Sequence, residues 1–218
     1  MAYIVGMVSQ KGGVGKTTLA RLFARELAKD GFAVRIADLD TQQATCAEWA
    51  AARVAAGIEP AIRVTPFGSL EAALGAAEEC DACILDGRPH SSQQTLEIAH
   101  AADLAVIPTG QTTDDLRPAV TLAHSLADAG IGPERIAFAL VKVTSSAAEQ
   151  AAARAYLGQT EYTVLGGFLP VSTAYGIAHD AGRAATETPF RTLNEKAGRL
   201  AQSVIDRLAE VAANRETG

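Results

Sequence analysis

The stretch Tyr3-Ile4-Val5-Gly6-Met7-Val8-Ser9, continued by Gln10-Lys11-Gly12-Gly13-Val14-Gly15-Lys16-Thr17-Thr18, decides how the rest of the chain is read. Its first seven residues are mostly apolar and partly β-branched, which suits a buried strand, and Leu19 to Lys29 has helical spacing. A strand, a glycine turn and a helix therefore follow one another. Gly12, Gly13 and Gly15 let the backbone turn without a Cβ and bring its N–H groups close to an anion. The helix beginning near Lys16 aims its positive end at the same point. Lys16 supplies a charge for the β and γ phosphates, and the Thr17 hydroxyl is placed to ligate Mg²⁺. With Val14 and Thr18, these residues form a cradle for a nucleoside triphosphate.

The strict pattern G-x-x-x-x-G-K-[ST] requires Gly at position 10, where this chain has Gln. What stands there is a variant with a second lysine, Lys11, and K-G-G-V-G-K-T-T resembles the deviant Walker A loop of the ParA/MinD family of dimerising ATPases. In that family the early lysine reaches across a dimer interface to the partner's nucleotide. Asp38-Leu39-Asp40-Thr41-Gln42 resembles the family's D-x-D-P-Q stretch. The resemblance gives Asp40 the placing of the attacking water and Asp38 support of the metal. Thr41 replaces a proline that would fix φ and stiffen the loop. Read from the residues alone, the two aspartates could also cap the helix expected over Gln43 to Ala56.

Ala82-Cys83-Ile84-Leu85-Asp86 has the Walker B form, four apolar residues ending in a carboxylate that holds Mg²⁺ directly or through water. The family often continues D-x-P-P; here Gly87-Arg88-Pro89 follows, and Arg88 has no assigned role. By resemblance, the loops after two later strands place Lys142, Val143 and Thr144, and Pro170, Val171 and Ser172, near the base, although the family's frequent Asn is missing.

The 218 residues and net charge of −6 fit one α/β domain able to bury a core without disulfides or metals. Residues 1–130 hold 10 basic and 16 acidic side chains, against nine of each in 131–218. The acidic total therefore argues against coating nucleic acid by bulk charge, while a local patch in the C-terminal part remains open. The N-terminus lacks a basic leader and a cleavage site, and no apolar run approaches the roughly 20 residues that span a bilayer. A cytoplasmic protein is expected, and the resemblance implies association with the nucleoid. Cys80-x-x-Cys83 has no second pair or metal-spaced histidines beside it, so core packing is the expectation.

Further strands are expected over Ala33 to Ala37, Ala61 to Thr65, Leu104 to Pro108, Ile136 to Val143 and Val164 to Leu169. Helices are expected over Ser69 to Glu79, Leu116 to Ala129, Ala147 to Leu157 and Pro189 to Asn214. This alternation predicts a doubly wound, mostly parallel sheet flanked by helices, in a single P-loop domain over 1–218. The last helix carries Leu193, Leu200, Val204 and Leu208 on one side, with Lys196, Arg199 and Arg207 beside that stripe among Glu195, Asp206 and Glu210. That face is either a solvated mixed-charge surface or, with Arg183 and Arg191, a set of phosphate contacts.

Taken together, the chain looks like a short ParA-type partition ATPase without an N-terminal helix-turn-helix extension. The resemblance implies an ATP-bound sandwich homodimer that binds DNA without sequence preference and hydrolyses ATP when a centromere-binding, ParB-like partner stimulates it. The alternatives are a MinD-like membrane-associated positioning ATPase or a P-loop small-molecule synthetase. Glu210 to Gly218 offers one Val and no aromatic for a membrane anchor, and Lys11 argues against a synthetase.

Overall fold

In the computed structural model, which describes residues 2–41, 45–88 and 92–216, the glycine turn sits at the centre of a parallel sheet. The strands are β1 (Tyr3–Met7), β2 (Val34–Asp38), β3 (Arg63–Pro66), β4 (Ala82–Asp86), β5 (Leu104–Thr109), β6 (Ile136–Leu140) and β7 (Thr163–Val164). They lie in the order β3-β2-β4-β1-β5-β6-β7, and every pairing is parallel. Between them run α1 (Lys16–Lys29), α2 (Thr45–Ala55), α3 (Leu70–Ala77), α4 (Ser92–Ala101), α5 (Thr113–Asp128), α6 (Ala147–Leu157), α7 (Thr173–Asp180) and α8 (Arg191–Glu216).

Both faces of the sheet are covered, which is why its strands read as apolar runs rather than alternating ones. Val5, Met7, Ile36 and Ile84 pack on one face against α1, α2, α7 and α8; Cys83, Leu85, Ala105 and Phe138 pack on the other against α3 to α6. Both Cys80 and Cys83 are free thiols, with Cys83 buried in this second layer as a small apolar residue, and burial pushes its thiol up to about 12. Gly6 and Gly87 allow α4 to lie close, because a Cβ at either would stand 2.6 or 2.7 Å from the Ile98 side chain.

Several expectations change, among them the strand expected over Ile136 to Val143, which ends at Leu140. α4 and α7 occupy sequence in which no helix was expected: α4 opens on Ser-Gln-Gln-Thr, and α7 has only eight residues with Gly176 inside. The strand expected over Val164 to Leu169 shrinks to Thr163–Val164, followed by a lone bridge of Val143 with Pro170. The cause is Gly167 at φ +71°, which turns the chain under α8 so closely that a Cβ there would lie 2.5 Å from the Leu200 backbone nitrogen. α5 begins at Thr113 rather than Leu116, and α8 at Arg191 rather than Pro189. Gln42, Gln43 and Pro89 lie outside the described residues.

One buried ion pair joins the helix after β2 to the segment preceding α8. Arg53 is fully buried; its guanidinium grips Glu187 through two bonds of 2.6 and 3.0 Å and also donates to the carbonyls of Pro60 and Gly182. Burial opposes the Glu187 charge, but Arg53, the Ala184 amide and Arg25 outweigh it and hold its carboxyl below the usual range. Arg53→Met would leave the Glu187 carboxylate with Arg25 and the Ala184 amide alone, so it should cost roughly 3 kcal/mol. Chemical denaturation checks this, and Arg53→Met/Glu187→Met should recover much of the loss.

Candidate nucleotide site

The site is set by strand ends. Register pairs Asp38 with Asp86 and Asp86 with Met7, so both carboxylates and the start of the glycine loop emerge at one height on the C-terminal edge. Open parallel sheets bind ligands at that edge. Gly13 and Gly15 turn the loop at φ +67° and +101°, and Gly15 caps α1 in the left-handed conformation. The loop, Asp38, Asp40, Asp86, Gly87 and Lys142 line a cavity of about 470 Å³. Gly12 to Thr18, the residues expected to hold the nucleotide, all line it.

Inside the cavity the charges are buried and close. Lys16 is 7 % exposed, and burial lowers the pKa of its ammonium against the opposing pull of Asp86 and Asp40. The Thr17 hydroxyl donates to Asp86 Oδ2 at 2.6 Å, while Asp86 Oδ1 is buried with no partner. Burial pushes the Asp86 carboxyl up to about 6, with the Thr17 bond working the other way and Asp38 adding to the rise. Asp38 is buried too, and its carboxyl is raised by that burial. Its Oδ1 accepts the Asp40 amide at 3.0 Å, which leaves the less buried Asp40 beside the cavity.

The orphaned Asp86 oxygen beside a hydroxyl and a second carboxylate fits a hard, oxygen-liganded cation such as Mg²⁺. Among the described residues no group of three His, Cys, Asp or Glu side chains would hold a metal unaided. Mg²⁺ bound with substrate phosphates needs only one or two carboxylates, so Thr17, Asp86 and Asp38 suffice. Bound there, the ion would neutralise phosphate charge.

Lys11 does not enter this cradle. Its ammonium donates to the Asp114 carbonyl at 2.6 Å and to Asp115 Oδ1 at 3.1 Å, and it lines an adjoining recess with Gly110, Asp115 and Lys142. The Asp114 carbonyl is free for this because Pro118, four residues on in α5, has no N–H to donate to it.

The base loops come together as the resemblance implies, through the bridge of Val143 with Pro170, but their roles divide. Lys142, at φ +55°, donates to the Gly13 carbonyl at 2.5 Å and so supports the phosphate loop. Val143 is fully buried, whereas Val171 is 67 % exposed. Thr144 is tied to Gln111 and Glu149.

Among the C-terminal cations, Arg183 and Arg199 are exposed, Lys196 lies over the Phe168 ring at 5.3 Å, and Arg191 pairs with Glu195. Arg207 departs from the surface role expected of it: its guanidinium donates to the Glu134 carbonyl at 2.6 and 3.1 Å and to Glu210 at 2.7 Å. That arginine pins α8 to the start of β6.

Sequence reasoning missed Arg21, which is buried behind the carboxylates, donates to the Thr45 carbonyl at 2.6 Å and stacks over Trp49. Its positive charge partly offsets the burial of Asp38 and Asp86. An arginine on the inner face of an otherwise apolar helix stripe was the available signal.

The family of CobQ/CobB/MinD/ParA nucleotide binding domains matches residues 5–214. No curated protein matches the chain significantly by sequence. Among solved structures, the septum site-determining protein MinD from Pyrococcus horikoshii OT3, complexed with Mg-ADP, is 18 % identical with a TM-score of 0.74, covering 94 % of this chain and 96 % of that one. A putative plasmid partition protein from Borrelia burgdorferi B31, bound to AMPPNP, is 13 % identical with a TM-score of 0.70, covering 95 % of this chain and all of the other. A ParA family ATPase from Chlorobium tepidum TLS is 17 % identical with a TM-score of 0.66, covering 93 % and 99 %. With the family match spanning nearly the whole chain and the same fold in these structures, this protein belongs to the CobQ/CobB/MinD/ParA nucleotide-binding family.

Proposed function

We propose that this chain is a ParA-type DNA partition ATPase that binds Mg-ATP, pairs with a second copy and hydrolyses ATP with Asp40 placing the water. The observation that carries this reading is the position of Lys11. Lys16 already serves the chain's own phosphate cradle, while Lys11 stands outside it, 43 % exposed on the adjoining recess. A second loop lysine that its own nucleotide does not use is suited to the nucleotide of a partner copy. The paired form would bind DNA through Arg183, Arg191, Lys196 and Arg199, and release it when a centromere-binding partner stimulates hydrolysis. In a cell that places it in the cytoplasm, on the nucleoid.

Three outcomes test these assignments. Lys16→Ala should weaken ATP binding on the order of a hundredfold in calorimetry, because it removes a buried cation from the phosphates. Asp40→Ala should keep ATP affinity and lower turnover roughly a hundredfold, since a water-positioning carboxylate acts in the transition state. In light scattering with a non-hydrolysable analogue, Asp40→Ala should dimerise and Lys11→Ala should stay monomeric; a Lys11→Ala dimer as tight as wild type would remove the reading in trans.

The DNA assignment has its own measurement. Lys196→Glu/Arg199→Glu should lower affinity equally for unrelated duplexes, while ATP-dependent pairing persists. Binding to anionic vesicles in place of DNA would move the chain to membrane-associated positioning.

A further inference from the structure

Arg88 follows the Walker B aspartate by two residues and is not among the residues lining the phosphate cavity. Its side chain turns toward the neighbouring strand. Arg88 Nε donates to the Leu39 carbonyl at 2.6 Å, and the Arg88 amide donates to the Gln94 side-chain oxygen of α4 at 3.0 Å. Leu39 is the residue between the two aspartates.

The peptide unit joining Leu39 to Asp40 is thus held at both poles. Its N–H, that of Asp40, donates to Asp38 Oδ1 at 3.0 Å, and its oxygen accepts from Arg88. The preceding amide, Leu39 N–H, donates to the Asp86 carbonyl at 3.0 Å, so β4 and the two residues after it grip this segment from one side. The ladder between β2 and β4 ends at Asp38 with Asp86, and the β3 side ends where the Phe67 amide meets the Asp38 carbonyl. The Leu39 carbonyl therefore lies one residue past the sheet, and a peptide plane there can rotate without disturbing the buried Leu39 side chain. Arg88 blocks that rotation. The next residue is Thr41, which does not restrict its own φ as a proline would.

We propose that Arg88 is a positioning residue for ATP hydrolysis, clamping the Leu39–Asp40 peptide to the end of β4 so that the Asp40 carboxylate stays aimed at the cavity. This rests on the reading of Asp40 as the water-placing group. The clamp works through one N–H donor rather than through the cation.

Two substitutions separate donor from charge. Arg88→Gln keeps an N–H donor the same number of bonds from the backbone as Arg Nε and drops the charge; Arg88→Met matches the length with no donor. Hydrogen exchange at the Leu39 and Asp40 amides of the nucleotide-free protein reads the clamp. Turnover, with ATP affinity measured separately, reads its consequence. Arg88→Met should raise exchange at both amides and lower kcat between about tenfold and a hundredfold, the scale of a misplaced catalytic group, with affinity within about twofold. Arg88→Gln should match wild type in both. Unchanged exchange in Arg88→Met removes the clamp. Wild-type exchange in Arg88→Gln together with turnover as low as in Arg88→Met would show that the charge acts on the reaction, overturning the positioning role. If the wild-type chain hydrolyses no ATP, the reading of Asp40 fails and with it the catalytic role of Arg88, whereas exchange still decides whether the clamp exists.

Discussion

The register of three parallel strands constrains everything else at this site. Because β2, β4 and β1 run the same way and pair Asp38, Asp86 and Met7 in one row, their C-terminal ends cannot deliver one group without delivering the others. A slip of one residue would turn each aspartate to the opposite face of the sheet, into a packed layer of helices. The apolar runs on both faces are what forbid that slip. Core packing thus sets the spacing of the acidic pair, and the glycine loop lines the cavity above it.

The arrangement holds charge that the fold would otherwise exclude. Asp38, Asp86, Lys16 and Arg21 are all nine-tenths buried, and burying ions is costly even when they are paired. Only part of the cost is met within the chain: Asp86 keeps one oxygen without a partner, and Arg21 leaves its Nε unbonded. Compare Arg53, whose bonds to Glu187, Pro60 and Gly182 engage all three of its nitrogens away from the phosphate cavity. A satisfied buried pair fixes structure, while an incompletely satisfied one is what a ligand bringing opposite charge can complete.

How much of this the sequence reveals depends on whether the cause is local. The glycine loop, the apolar runs and the strand-terminal aspartates are local, because backbone freedom, burial on two faces and the reach of a carboxylate are written within a few residues. α4 was hidden because its contact with the sheet depends on two glycines that merely make room for Ile98, one of them, Gly6, far from it in sequence. The end of β7 was misread since Gly167 answers to the α8 backbone, some 30 residues on. Arg207 has the spacing of a surface cation, and only the approach of β6 reveals that a carbonyl takes its guanidinium. Val143 is the reverse case, a loop position by resemblance that the fold places in the core.

The resting place of Lys11 bears on how an ATPase of this kind could switch. Pro118 leaves a helix carbonyl unpaired, Asp115 adds a carboxylate, and together they hold the ammonium away from the cradle. The pair is exposed, and such contacts contribute at most about 1 kcal/mol, which biases the lysine toward this position by about fivefold. A triphosphate, carrying several charges and partly shielded from water between two copies, offers the ammonium far more. On the proposed reading in trans, such a contact would favour the retained position in the free protein and yield to nucleotide. Without a triphosphate, two apposed copies would bring like-charged lysines together and gain nothing from releasing them. Pairing would then follow nucleotide occupancy, with the same lysine retained by its own chain in one state and, on the reading in trans, drawn to the partner's phosphates in the other.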